Sequence, residues 1–523
     1  MAQVDEDRMG AFDAVMWGVE DDPLLRSVIV VLVVLESPPD VPTGTARVER
    51  LTREVPALRQ RVIGNPMSLV PPRWETDPNF DLSYHLRWVR APRTDGTLRP
   101  VLDMAAQMAE QDFDRDRPLW EMTLVTGLDG DRAALLFKIH HSVTDGVGGM
   151  RIAASLFDFT PAPRDDLGPE PDVPALNVLD PIRRVLNGVE YETRTAVDQV
   201  RGAVDGGLDL VRKAVSDPVG TAGAATAFAA SAGRLLAPAG TPLSPVMTGR
   251  SLSVRLDLLE YSLDDLKRAG KAVGGTLNDA FIAAVAGGLR SYHDYHGQTP
   301  QALRINMPVN LRSKDDSRAG GNAWVPARFP LPIDQEDAGA RIKALHPLLK
   351  QARSEPALPI SGQVFRVLAT LPQPVTTAVA GGLMKGTDVA ATNVPGPPFP
   401  VYLAGAKVLQ LVPFAPKAGA AVNIGLMSYD GRAEIGINID TQAVPDAERL
   451  VRYLDQAFGD VLAVGTPPSG ESAAEAKLAA AEPAEAAAPK PAKKRAAKAG
   501  SGKSGGATGK KATRPRAAKP AAD

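Results

Sequence analysis

The sequence predicts an α/β (α+β) fold in which helices cover mixed β-sheets. Three observations point there. Short apolar runs such as Val28–Leu35 and 133–139 have the length and composition of buried strands. Between them lie segments whose apolar residues recur at helical spacing, as Val48, Leu51 and Val55 do in 45–55. At 523 residues the chain exceeds one ordinary core and calls for two domains plus extra segments.

The elements follow in order. Val28–Leu35 is too short for a membrane span, which needs roughly 20 residues, so it reads as a buried strand. The helix at 45–55 ends at Pro56, and 101–111 reads as another helix. Trp120 enters a strand at 120–124 as a core aromatic. A strand at 133–139 leads into a helix at 150–156. These make a first domain, 1–165. The stretch 161–174 is rich in Pro and Asp, and 179–215 repeats apolar residues at helical spacing (Ile182, Val185, Leu186, Val189). Region 166–250 is therefore a linker or crossover with one or two amphipathic helices. Region 251–465 resumes the mixture: strands at 251–258, 303–309, 420–428 and 432–439, and helices at 261–272, 276–292 and 445–461. Asp430-Gly431 signals a hairpin between the last two strands. Region 466–523 has almost no large apolar side chains and is expected to be disordered, because it cannot bury enough surface to offset its ordering entropy.

Composition excludes several chemistries. The chain has no cysteine, hence no disulfide, thiolate metal site or cysteine nucleophile. The histidines lack metal-ligand spacing, so no metal is expected. The acidic start MAQVDEDRMG is unlike a Sec signal, and no run is long enough to span a bilayer, so a soluble or peripheral cytoplasmic protein is expected. Net charge is −2, yet from Ala486 onward eleven Lys or Arg face one Asp, so an acidic body carries a basic tail.

The chemistry sits at 137–149. Phe137-Lys138-Ile139-His140-His141 runs off a strand, and Ser142-Val143-Thr144-Asp145-Gly146 turns toward a helix. A histidine there can serve as a general base near neutral pH. Side chains alternate along a strand, so only one of the two histidines can readily face a given reacting centre. The other is left to packing or backbone geometry. Asn278 reads as an N-cap before 280–289, and 392–397 (Thr392, Asn393 onward) as a rigid turn.

His140 to Gly146 resembles the HHxxxDG signature of the CoA-dependent acyltransferase superfamily. Further blocks resemble the bacterial wax ester synthase/diacylglycerol acyltransferase family, in family order: Pro118-Leu119-Trp120, Asn278-Asp279, Met307-Pro308-Val309-Asn310-Leu311-Arg312 with Gly321-Asn322, and Thr392-Asn393-Val394-Pro395-Gly396-Pro397. Thr392 stands where the family has Ser. The resemblance covers about residues 9–460.

The resemblance implies two acyltransferase-like domains with an active-site channel between them. His141 would be the base, with His140 supporting it. Asp145 would be structural and paired with Arg312, and Gly146 would keep the acyl channel open. Asn278, Asp279, Trp120, Thr392 and Asn393 would bind substrate or support the site. Acyl-CoA would be the donor substrate, with no further cofactor. The acceptor would be diacylglycerol, giving triacylglycerol, or a long-chain alcohol, giving a wax ester. A catalytically silent lipid-binding protein is the alternative of another class. The basic tail would hold an anionic surface, at the inner face of the plasma membrane or on lipid bodies. No specific nucleic acid is expected.

Overall fold

The computed structural model describes residues 7–64, 70–92, 96–144, 146–162, 169–180, 182–191, 193–194, 241–310, 324–354, 365, 368–369 and 373–466. The expected disordered tail lies outside them, as do Asp145 and Arg312. In chain order the elements are α1 (Ala11–Gly18), β1 (Val28–Leu35), α2 (Val41–Glu54), β2 (Gln60–Ile63), β3 (Arg73–Thr76), α3 (Leu82–His85), β4 (Leu86–Arg90), α4 (Arg99–Glu110), β5 (Trp120–Thr126), β6 (Ala133–His140), α5 (Gly146–Leu156) and α6 (182–191). After them come β7 (Val254–Ser262), α7 (Leu263–Ala272), α8 (Leu277–Tyr295), β8 (Ala302–Asn310), β9 (Trp324–Pro332), α9 (Ala338–Arg353), α10 (Gln373–Met384), β10 (Val389–Pro395), β11 (Tyr402–Leu403), β12 (Ala406–Phe414), β13 (Val422–Tyr429), β14 (Arg432–Asp440) and α11 (Ala447–Val464).

Two six-stranded sheets organise the chain, in the orders β11-β12-β1-β6-β5-β4 and β7-β14-β13-β10-β8-β9. Both are mixed, as the sequence predicts. In the first, β4 runs parallel to β5 while β1, β6 and β12 are antiparallel. In the second, β10 runs parallel to both β13 and β8.

Sheet membership does not follow chain order. After β10 the chain leaves the second sheet, lays β11 and β12 along the edge of the first, and returns for β13. The sequence boundary near residue 250 thus divides the chain without dividing the sheets. The chain through Thr466 forms one compact unit.

Alternation along the second sheet explains how this crossing is built. Ile424, Leu426, Ile435, Ile437 and Ile439 point into a core shared with Phe281 of α8 and Leu454 and Phe458 of α11. The intervening residues of β13 and β14 face the other way, toward the β12 segment. There Asn423 Nδ2 donates to the Pro416 carbonyl at 2.6 Å and Asn438 Nδ2 to that of Ala415 at 2.9 Å. Gly425 and Gly436 lie opposite each other in register and leave a notch for Pro413. A Cβ at Gly436 would overlap the Pro413 carbonyl oxygen.

Two expectations need correction. The strand expected at 251–258 runs over Val254–Ser262, because it pairs with β14 along its whole length before the Ser262 side chain caps α7. The rigid turn expected at 392–397 is strand through Pro395, because β10 pairs in parallel with β13 as far as Pro395 and Ser428. The turn starts only at Gly396, whose N–H donates to Ser428 Oγ at 3.2 Å.

Candidate active site

The two histidines belong to a strand whose faces serve different cores. Leu135, Phe137 and Ile139 of β6 pack with α2 and α5, while Ala134 and Leu136 pack with α1 and α4. His140 continues the second set and is fully buried. The edges of Trp17 and Phe113 meet its ring, with centroids 5.6 and 6.1 Å away.

Each ring nitrogen of His140 has a polar neighbour. The Ser142 backbone N–H donates to Nδ1 at 3.1 Å, and Ser142 Oγ lies 2.6 Å from the same atom. A nitrogen that accepts from a backbone N–H keeps its lone pair, so this network assigns the ring proton to Nε2. Nε2 lies 2.8 Å from Glu20 Oε1, an ion-pair contact in poor hydrogen-bond alignment. Glu20, just after α1, is itself buried, and the same oxygen accepts from the Ser27 N–H at 2.6 Å. Burial pushes the Glu20 carboxyl up, but His140, the Ser27 N–H and the Arg115 guanidinium outweigh it and leave the carboxyl below its ordinary value.

His141 follows at the end of the strand and is half-buried, with Nδ1 shut from solvent. Its backbone N–H donates to the Ser27 carbonyl at 2.9 Å. Ser27 therefore links the two histidines: its carbonyl accepts from the His141 N–H, and its N–H donates to the carboxylate beside His140. Gly146 opens α5. The expected Asp145–Arg312 pair falls outside the described residues.

The remaining candidates sit apart from this network in the contacts described. The N-cap of α8 is Thr276, not Asn278, because Asp279 is the residue that closes a capping box. Its Oδ2 accepts from the Thr276 N–H at 2.7 Å and lies 2.7 Å from His346 Nδ1 of α9. Asn278 is half-buried in the first turn. Trp120 is a core residue: its Nε1 donates to the Leu58 carbonyl at 2.7 Å, and its ring stacks on His85 at 4.7 Å. On β10, Thr392 is half-buried beside Gly425 and Asn393 is exposed.

Sequence reasoning missed Glu20 and Ser27. Neither carries a local signal, because what matters about them is contact with a strand end far along the chain. Among the described residues no group of three or more His, Cys, Asp or Glu could hold a metal ion.

Comparison with known proteins matches this frame. The catalytic-domain model of wax ester synthase/diacylglycerol acyltransferase covers residues 9–281, and the C-terminal-domain model of that family covers 320–461. A Mycobacterium tuberculosis protein named for diacylglycerol O-acyltransferase activity is 36% identical over 88% of this chain and 93% of its own length. A second from that organism, also so named, is 28% identical over 83% of this chain and 90% of its own length. The solved wax ester synthase/diacylglycerol acyltransferase of Marinobacter aquaeolei shares the fold, with a TM-score of 0.58 at 24% identity, covering 88% of this chain and 100% of that one. The first condensation domain of a calcium-dependent antibiotic synthetase shares it at a TM-score of 0.52 and 16% identity, covering 89% and 97%. The chain therefore belongs to the wax ester synthase/diacylglycerol acyltransferase family and is an acyltransferase.

Proposed function

We propose that this enzyme transfers a long-chain acyl group from acyl-CoA to the free hydroxyl of a diacylglycerol, with His141 as general base. One observation carries the assignment of the base. His140 is sealed between Glu20 and Ser142, so His141 is the histidine of the pair that retains an exposed part. His141 takes the proton of the hydroxyl as the oxygen attacks the thioester carbonyl carbon. The tetrahedral intermediate then collapses, the C–S bond breaks, and the proton passes from His141 to the CoA sulfur. Base assistance of this kind contributes roughly 10²- to 10⁴-fold. No acyl-enzyme is required, which suits a chain without cysteine.

Diacylglycerol is favoured over a fatty alcohol by the names that the relatives carry. Labelled palmitoyl-CoA offered with diacylglycerol or hexadecanol tests both points. Triacylglycerol as the main product is expected, and a His141→Ala protein of equal activity would sink the base assignment.

The acceptor is insoluble, so the enzyme must reach a lipid surface. No single helix among the described residues is long and apolar enough to cross a membrane. Peripheral contact is supported by α6, whose Ile182, Val185, Leu186 and Val189 are all exposed at helical spacing. Its polar side is tied down by Arg184 to Glu75 at 2.8 Å and by Arg8 to Asn187 at 2.5 Å. The basic tail would add attraction to anionic lipid at the inner face of the plasma membrane or on lipid bodies. Deletion after Gly465 is expected to weaken binding to anionic vesicles while leaving soluble activity intact.

A further inference from the structure

We propose that Glu20 is a positioning residue for acyl transfer, setting through His140 and Ser27 the backbone from which His141 projects. This rests on the reading of His141 as the base. Glu20 Oε1 meets two groups at once, His140 Nε2 at 2.8 Å and the Ser27 N–H at 2.6 Å. Each contact continues to the histidine turn. Through the imidazole, a proton held on Nε2 leaves Nδ1 as the acceptor for the Ser142 N–H at 3.1 Å, which fixes the turn on one side of His141. Through the backbone, Ser27 is held with its carbonyl on the His141 N–H at 2.9 Å. The residue that supplies the base is thus gripped at its own N–H and at its successor, and one carboxylate organises both grips.

A merely packed glutamate would not need its charge. Glu20 is 4% exposed and the His140 side chain is fully buried, so a glutamine would fill the same space. Its amide, however, would have to offer Nε2 an oxygen and still accept from Ser27. When its NH₂ turns toward the ring, Nε2 must become the acceptor, the ring proton moves to Nδ1, and the Ser142 N–H loses its partner. An aspartate in the same place would keep the charge and lose a methylene. Carboxylate positioning therefore predicts the order Glu, then Asp, then Gln, whereas packing predicts that Gln does best.

The full-length chain and its Glu20→Gln and Glu20→Asp variants would be assayed with labelled palmitoyl-CoA and diacylglycerol. For Glu20→Gln, kcat is expected to fall on the order of 10²-fold, the size of effect that a misplaced catalytic group produces, with KM for both substrates within about twofold. Glu20→Asp should recover part of the loss. Nitrogen NMR of histidine-labelled wild-type protein should show His140, identified by its absence in His140→Asn, with its proton on Nε2 and a lone pair on Nδ1. Wild-type kcat in Glu20→Gln, or a glutamine variant more active than the aspartate one, overturns the proposal. So does a His140 protonated at Nδ1 in the wild type, a measurement that stands even if a variant fails to fold. Full activity in His141→Ala would sink the base assignment instead and would leave the spectrum unchanged.

Discussion

Two buried carboxylates, one beside each sheet, have opposite fates. Glu20 serves the first sheet, where a backbone N–H and an imidazole meet its oxygen, and its carboxyl lies below the ordinary value. Glu434 lies on β14 in the second sheet and is fully buried. In register beside it on β7 stands Glu260, and its cation is Arg432, with Nε at 3.3 Å in poor hydrogen-bond alignment. Burial, reinforced by Glu260, pushes the Glu434 carboxyl up to about 8. Burial alone thus says little about charge; the donors that the fold delivers decide it. The histidine end of the first sheet carries a preformed network of buried polar contacts. The facing side of the second sheet is a seam, shaped to admit β12.

The largest effect that would break this contrast is on rate. His141→Ala should lose roughly 10²- to 10⁴-fold in kcat while thermal stability barely moves. His140→Ala should lose both, because it opens a cavity in a buried network. Equal stability for the two variants would mean that the first site is less built than its geometry says.

At the seam, Gly436→Ala should destabilise the protein by about 3 kcal/mol or more, measured by chemical denaturation, since the new methyl displaces the Pro413 carbonyl. Gly459→Ala in α11 is the control. Its Cβ meets nothing within 4 Å, and a gain of about 0.5–1 kcal/mol is expected from helix propensity.

The carboxylates predict opposite pH responses. Glu434 is raised above its ordinary 4.5, so its contribution to stability is complete below pH 4.5 and is lost as pH rises toward about 8. Glu434→Gln should remove that loss and gain on the order of 2 kcal/mol at pH 9. Glu20 is lowered, so its contribution is present above pH 4.5 and disappears as pH falls through its folded value. Melting curves from pH 3 to 9 would read both, and slopes of the same sign would end the comparison. Among the losses the smallest is Thr276→Ala, which should cost about 1 kcal/mol through loss of the α8 capping box.

Much of this was legible from residues close together in the chain. The mixed strand and helix pattern, the strand carrying His140 and its alternation follow from periodicity, which neighbours set. So does the parting of the two histidines into one buried and one partly exposed side chain, because successive side chains on a strand must point apart. The N-cap of α8 was misplaced because Asn278 and Thr276 both suit a cap, and only the reciprocal bond with Asp279 separates them. The turn expected from Thr392 onward was overridden by parallel pairing with β13, which no local pattern announces.

By itself, then, the sequence determined the elements, the family and the motif proposed to bear the chemistry. Tertiary structure decided that β12 completes the first sheet, that Gly425 and Gly436 form the notch it crosses, and that Glu20, far outside the motif, meets His140 Nε2. The physical reason is the same in each case. Periodicity and capping are written within a few residues, whereas a hydrogen bond or close approach between distant segments depends on which surfaces folding brings together.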